Sequence, residues 1–276
     1  MILFPNAKIN IGLNIISKRP DGYHNLESIF YPLAIKDALE VVEADVLQFS
    51  SSGINIPGNP DDNLCLKAYH LLKRDFTSLP PVRIHLHKHI PIGAGLGGGS
   101  SDASFFISLL NQKFGLGMEN AQMEHYASKI GSDCAFFIQN KSAYAIEKGD
   151  RLSALDLDLS NYFIVLVMPD VQVSTAEAYQ GVQAAPVSKP LTELVKLPIQ
   201  DWKLQIKNDF ESSVFSKYPS IERIKDYLYE SSALYASMSG SGSSVYGIFK
   251  EPLKLVQLEK ENKVFYLQNG KLRVES

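Results

Sequence analysis

The chain has 276 residues, 45% of them hydrophobic, a net charge of −3 and two cysteines, Cys65 and Cys134. That length suits one large domain or two ordinary ones around a real core. Interspersed charge with no basic run argues against nucleic acid or an anionic membrane as partner, and cysteines without metal-like spacing lead us to expect a reducing, cytoplasmic setting.

Taken in chain order, residues 1–8 lack the charged start and long apolar stretch of a signal peptide, and none is expected. No segment reaches the roughly 18 apolar residues of a membrane span. Ile9–Ile16 alternates and predicts a strand with Asn10 and Asn14 at polar positions. Lys18–His24 carries turn signals around Pro20-Asp21-Gly22. Leu39–Phe49 predicts strands, and 63–76 a helix with Leu64, Ala68, Leu71 and Leu72 at helical spacing. In the strand-like stretch 82–90, Val82, Ile84, Leu86 and Lys88 share one face, and His85, His87 and His89 share the other. A lysine at the end of an apolar face points to an anion beside it. The three histidines have no acidic or cysteine neighbour, which favours a solvated strand face over a metal site.

The run from Pro91 to Asp102 follows, with five of the eighteen glycines between Gly93 and Gly99. A strand feeding a glycine-rich turn into the apolar stretch Asp102–Leu110 aims backbone N–H groups and a helix dipole at one spot, which suits a phosphate. Gly93–Gly98 matches G-x-G-x-x-G, but no second strand ending in an acid follows as dinucleotide binding requires. Ser100 stands where a Walker-type loop has lysine. Glu119–Ile130 predicts a helix before Gly131-Ser132-Asp133, and 151–161 a linker or edge strand. Further strands are expected at 163–168, 234–238, 244–249 and 264–268, and helices at 174–182, 208–217 and 219–231. Mixed rather than alternating elements favour α+β over a doubly wound sheet, with domains at 1–154 and 155–276.

Ala7-Lys8-Ile9-Asn10, the run Pro91–Ser101 and Ser239-Gly-Ser-Gly-Ser243 resemble, in order, the three motifs of the GHMP small-molecule kinases. Pro5–Leu13, Arg19–His24, Gly131–Asp133 and Asn208–Glu211 are similar to the branch whose substrate carries a cytidine diphosphate group. The resemblance implies an N-terminal ribosomal-protein-S5-like domain and a C-terminal ferredoxin-like domain, with the active site in the cleft. It also implies ATP-dependent phosphorylation of the 2-hydroxyl of a cytidine-diphosphate-capped methylerythritol, a step toward isoprenoid precursors by the non-mevalonate route. Mevalonate, homoserine or a sugar is the alternative acceptor within the family.

Site residues carry over by motif. Pro91, Ile92, Gly93, Ala94, Gly95, Leu96, Gly97, Gly98, Gly99, Ser100 and Ser101 would hold ATP. Lys8 and Asp133 would be catalytic, and Asn10, Tyr23, His24, Asn63 and Lys88 would contact substrate. Magnesium would accompany ATP, held by phosphates and water, with Ser100 or Ser101 in reach and no carboxylate ligand assigned. From spacing alone, Asp133 reads equally as a helix or turn cap, Asn63 as a cap, Tyr23 and His24 as loop packing, and Gly240 and Gly242 as a hairpin turn. Cys134-Ala135 departs from the family's usual Val-Pro, and Cys134 is expected as a buried thiol. The expected partner is the small-molecule substrate, and the expected state a monomer or weak homodimer.

Overall fold

The computed structural model describes residues 1–268 and 271–272. The first strands are β1 (Ile2–Leu3), β2 (Asn6–Lys18), β3 (His24–Lys36), β4 (Ala38–Glu43) and β5 (Gln48–Gly53). Then come α1 (Leu64–Asp75), β6 (Val82–Lys88), α2 (Gly98–Phe114), α3 (Asn120–Ser128) and α4 (Phe136–Gln139). The middle of the chain holds β7 (Ala143–Glu147), β8 (Arg151–Ala154), β9 (Phe163–Pro169), α5 (Thr175–Tyr179), α6 (Leu191–Leu194) and α7 (Ile199–Gln205). Last are α8 (Phe210–Lys217), α9 (Pro219–Glu230), β10 (Tyr235–Met238), β11 (Val245–Phe249), α10 (Val256–Glu259), β12 (Asn262–Gln268) and β13 (Lys271–Leu272). The class is α+β, with antiparallel pairing dominant.

Two compact units emerge, and neither is one continuous stretch. The first comprises 1–7, 35–92 and 97–141; the second comprises 8–34, 93–96 and 142–276. The glycine run is therefore shared: Gly93–Leu96 counts with the second unit, and Gly97 onward with the first.

In the first unit the sheet order is β1-β4-β6-β5, with β4 antiparallel and β5 parallel to β6. Its inner face buries Leu39, Val41, Ile84 and Leu86 in one core with Leu66 and Leu72 of α1 and Phe106 and Leu110 of α2. Strand β6 alternates as its sequence predicts: Val82, Ile84, Leu86 and Lys88 are buried, and Arg83 and His87 exposed. The outward histidines meet serines of β5. His85 lies between Ser50 and Ser52 at 2.9 Å each, and His87 lies 3.0 Å from Ser52. Helix α2 starts at Gly98, four residues earlier than the apolar stretch indicates, because Gly97 supplies the left-handed φ of +67° that opens it.

The second unit holds the sheets β2-β3-β7-β8 and β10-β11-β9-β12-β13. Strand β9 is the unbroken apolar run expected of a strand buried on both faces: Phe163–Met168 are all buried, and β9 pairs with β11 and β12. Strand β8 forms the edge of its sheet, within the stretch where the sequence offers a linker or edge strand. Strand β3 is not signalled by its sequence. Leu26 through Phe30 are all buried, Glu27 and Ser28 included, so polar residues sit inside and the period-two signature is lost. The short helices α6 and α7 are likewise unread, and α5 is shorter than its predicted 174–182.

Candidate active site

In the second unit, segments far apart in sequence meet around Gly93–Leu96. Lys8 N donates to Leu96 O at 3.0 Å, and Ser244 N donates to Ala94 O at 3.3 Å. Ser239 Oγ accepts from Asn10 N at 3.2 Å and donates to Gly95 O at 2.8 Å. All three motifs of the resemblance therefore share one hydrogen-bonded cluster. Gly95 has φ +74°, and a Cβ there would lie 1.9 Å from Ser239 O, so no side chain fits.

Lys8 is 3% exposed. Its ammonium donates to Asn10 Oδ1 and lies 4.8 Å from the centroid of the Phe30 ring. Asn10 Nδ2 in turn donates to Ser28 Oγ at 2.8 Å, and Ser28 Oγ donates to Gly12 O at 2.7 Å. Tyr246 Oη donates to Asn10 O at 2.8 Å, and burial keeps that phenol far above its usual pKa and protonated. Asn10, expected to contact substrate, thus has both ends of its side-chain amide bonded, one of them to Lys8.

In the first unit, Gly97 opens α2 and no side chain caps its first turn, leaving the leading N–H groups for a ligand. Ser101 Oγ is buried there without a partner. Beneath the turn, Lys88 Nζ donates to Asp37 Oδ2 and, at 2.7 Å, to Asp102 Oδ2. Asp37 Oδ1 accepts from His89 N at 2.6 Å and Ile90 N at 2.8 Å. The groups beside Lys88 are thus two side-chain carboxyls, and they tie the strand before the glycine run to the helix after it. With a side chain 2% exposed, Lys88 supports the loop from below, and we do not assign it to substrate.

Burial pushes the Asp102 carboxyl up to about 8, with Lys88 opposing and Asp37 adding to the rise. Burial works against the Lys88 ammonium, but Asp102 and Asp37 outweigh it and raise its pKa.

Asp133 is half-buried in the turn Gly131–Cys134, where Cys134 N donates to Gly131 O at 3.1 Å. Ser104 Oγ donates to Cys134 O at 2.6 Å and to Ser100 O at 2.9 Å, fastening this turn beside the start of α2. The following helix α4 has Ala135 at its N-cap and no side-chain cap bond, so Asp133 is not its cap. Cys134 is buried, and burial pushes its thiol up to about 11. Asn63 does cap α1, accepting from Cys65 N at 2.9 Å.

Tyr23 and His24 stand at the Pro-Asp-Gly turn between β2 and β3. Asp21 Oδ1 accepts from Tyr23 N at 3.1 Å, and Tyr23 is 63% exposed with Lys148 Nζ 5.4 Å from its ring centroid. The His24 ring stacks on Tyr179 at 4.7 Å and 19°. Tyr179 and Lys148 have no motif around them, and only their spatial neighbours single them out.

Models of known families match both parts of the chain: GHMP kinases N terminal domain at 63–141 and GHMP kinases C terminal at 193–263. Fold and loop together define a small-molecule kinase of this class. The chain is 50% identical over 275 residues to 4-diphosphocytidyl-2-C-methyl-D-erythritol kinase of Parabacteroides distasonis, covering 99% of this chain and 100% of the relative. A crystal structure of 4-(cytidine 5'-diphospho)-2C-methyl-D-erythritol kinase matches with a TM-score of 0.83 at 27% identity, over 96% of this chain and 98% of that one. The mevalonate kinase of Methanococcus jannaschii shares the fold, with a TM-score of 0.64 at 15% identity over 96% and 97%. The chain belongs to the 4-diphosphocytidyl-2-C-methyl-D-erythritol kinases of the GHMP family.

Proposed function

We propose that this chain transfers the γ-phosphoryl group of ATP to the 2-hydroxyl of 4-diphosphocytidyl-2-C-methyl-D-erythritol, giving the 2-phosphate and ADP on the way to isoprenoid precursors. The observation that carries this reading is the joining of Lys8–Asn10, Ala94–Leu96 and Ser239–Ser244 in one hydrogen-bonded cluster, in a chain half identical to a kinase of that name. The acceptor oxygen bonds to the γ-phosphorus, the bond from that phosphorus to the β–γ bridging oxygen breaks, and ADP leaves. The hydroxyl proton passes to Asp133.

Phosphoryl transfer asks for positioning and for stabilised charge on the γ-oxygens more than for covalent help. Backbone N–H groups of the run 91–101 hold the phosphates, and Lys8 supplies the positive charge that a Walker-type loop carries within itself. A lysine about 4 Å from a phosphate oxygen is worth about 4 kcal/mol where the effective dielectric is about 20, against about 1 in water. Lys8 is buried, which favours the larger figure. Asn10 fixes the ammonium, Tyr23 offers a face for the pyrimidine, and His24, braced on Tyr179, offers a ring nitrogen to its edge.

Magnesium suits the donors present. The described residues hold no cluster of three His, Cys, Asp or Glu that could cage a metal ion, but the unpartnered Ser101 Oγ lies at the phosphate-binding turn. The ion, carried by the phosphates, would neutralise charge on the oxygens. Among the described residues no helix is long and apolar enough to cross a membrane; we place the enzyme in the cytoplasm as a monomer or weak homodimer.

ADP release is the test, with the cytidyl substrate, mevalonate, homoserine and galactose offered in parallel. Turnover on the first alone, inhibited by cytidine diphosphate, is expected. Turnover on another acceptor with none on the cytidyl compound overturns the reading.

A further inference from the structure

Asn208-Asp209-Phe210-Glu211 resembles the family but has no part in the chemistry above. All three of its polar side chains are nonetheless engaged. Asn208 Nδ2 donates to Met238 O and to Gly240 O, both at 2.8 Å, while its Oδ1 accepts from Phe210 N at 3.0 Å. Glu211 Oε1 accepts from Met238 N at 2.9 Å and from Ser237 Oγ at 3.2 Å, and Oε2 accepts from Lys225 Nζ at 2.6 Å. Asp209 reaches the other way, its Oδ2 accepting from Ile15 N at 2.7 Å. The backbone follows it: Leu13 N donates to Lys207 O, and Asp209 N donates to Leu13 O, both at 2.8 Å. One short segment therefore holds β2 on one side and the end of β10 with its glycine turn on the other.

That turn carries the contacts to the phosphate-binding run. Ser239 Oγ bridges Asn10 N and Gly95 O, and a Cβ on Gly240 would come within 3.2 Å of Asn10 Oδ1, the atom that accepts the Lys8 ammonium. A small shift of the turn would therefore reach Lys8 through Asn10. The residue type at 208 is specific to the task. Two carbonyl oxygens need a donor on each hydrogen of one nitrogen, and Phe210 N needs an acceptor on the same group, a set that only an amide side chain supplies.

We propose that Asn208–Glu211 is a clip that sets the Ser239–Ser243 turn against Gly93–Leu96 and Asn10, making Asn208 a positioning residue for phosphoryl transfer. The inference rests on the proposed role of Lys8 and the glycine run.

The test measures Asn208→Ala and the smaller cut Asn208→Ser beside the parent chain and Lys8→Met. Melting temperature, steady-state kinetics and amide exchange are followed in each. A misplacement of about 1 Å can cost about 100-fold, so kcat is expected to fall roughly 10- to 100-fold in Asn208→Ala and less in Asn208→Ser. KM for the cytidyl substrate should stay within about 3-fold, because Tyr23 and His24 are untouched. Amide exchange should quicken at Ser239, Gly242 and Ser244 in step with the loss of kcat. A lowered melting temperature with unchanged kcat per folded molecule would mean a merely structural role and overturn the clip. So would a fall in kcat with exchange at the turn unaltered. If Asn208→Ala does not fold, Asn208→Ser decides by the same pairing of exchange and kcat. Loss of turnover in Lys8→Met with full turnover in folded Asn208 variants removes the clip alone; full turnover in Lys8→Met removes the reading beneath it.

Discussion

The middle of the glycine run and the stretches around it are supported in opposite ways. Ala94–Leu96 is held by neutral bonds: backbone amides of Lys8 and Ser244 and the hydroxyl of Ser239. The stretches on either side, Lys88–Ile90 and Gly97–Asp102, are held by the buried ammonium of Lys88 between the carboxyls of Asp37 and Asp102. Two carboxylates around one ammonium leave an excess negative charge when all are ionised, and burial resists this by pushing Asp102 up to about 8. The neutral support should answer to shape and be indifferent to pH. The charged one should answer to charge and pH.

The largest effect expected in the neutral region comes from Lys8→Met, which keeps the backbone amide bonded to Leu96 O and removes only the buried ammonium. A loss of about 1,000-fold in kcat is expected, within the range for removing a charge-stabilising or proton-handling group, with ATP affinity changed far less. Steady-state ADP release and nucleotide titration separate the two effects.

In the charged region, Lys88→Met leaves two buried carboxyls without their cation. Removing one partner of a buried pair costs about 3–5 kcal/mol, and urea unfolding should show a loss of that order, larger at pH 9 than at pH 5. An unchanged midpoint at both would mean that the cluster does not support the loop.

Tyr23→Ala lies outside both supports and serves as their control. Stacking of a base is worth about 1–3 kcal/mol, so KM for the cytidyl substrate should rise roughly 5- to 150-fold while the melting temperature holds. A fall in stability with no change in KM would make Tyr23 a packing residue.

The finest test is the pH slope. Native Asp102 keeps its proton to about 8, whereas the ordinary value of 3.8 applies once the chain unfolds. Between those values the native state binds more protons, so the stability owed to this group falls as pH rises from about 4 to about 8 and is level above. Asp102→Asn should remove that part of the slope in urea midpoints taken from pH 5 to 9. An identical slope in the variant would assign it to another group.

Much of this was legible from residue types. The parity of 82–88 placed Lys88 inward, and its burial agrees. What parity cannot supply is the identity of the anion: Asp37 is 51 residues away and comes within reach only through the fold. Strand β3 was hidden because Glu27 and Ser28 are buried, Glu27 bonded by Asn14 and Tyr144. The motif Asn208–Glu211 was visible, but its partners at Met238 and Gly240 belong to a turn that reads as a simple hairpin. Single-sequence patterns carry burial and period. They do not carry which buried carbonyl an amide will meet.

The proposed transfer pairs Lys8 at the donor phosphate with Asp133 at the acceptor hydroxyl. A crystal structure of the chain with a non-hydrolysable ATP analogue and the cytidyl substrate tests it most directly. The 2-hydroxyl is predicted within about 3 Å of the Asp133 carboxylate, and Lys8 Nζ within the same reach of a γ-phosphoryl oxygen. A 2-hydroxyl bonded to some other acid, with Asp133 turned away from it, would overturn the role proposed for Asp133.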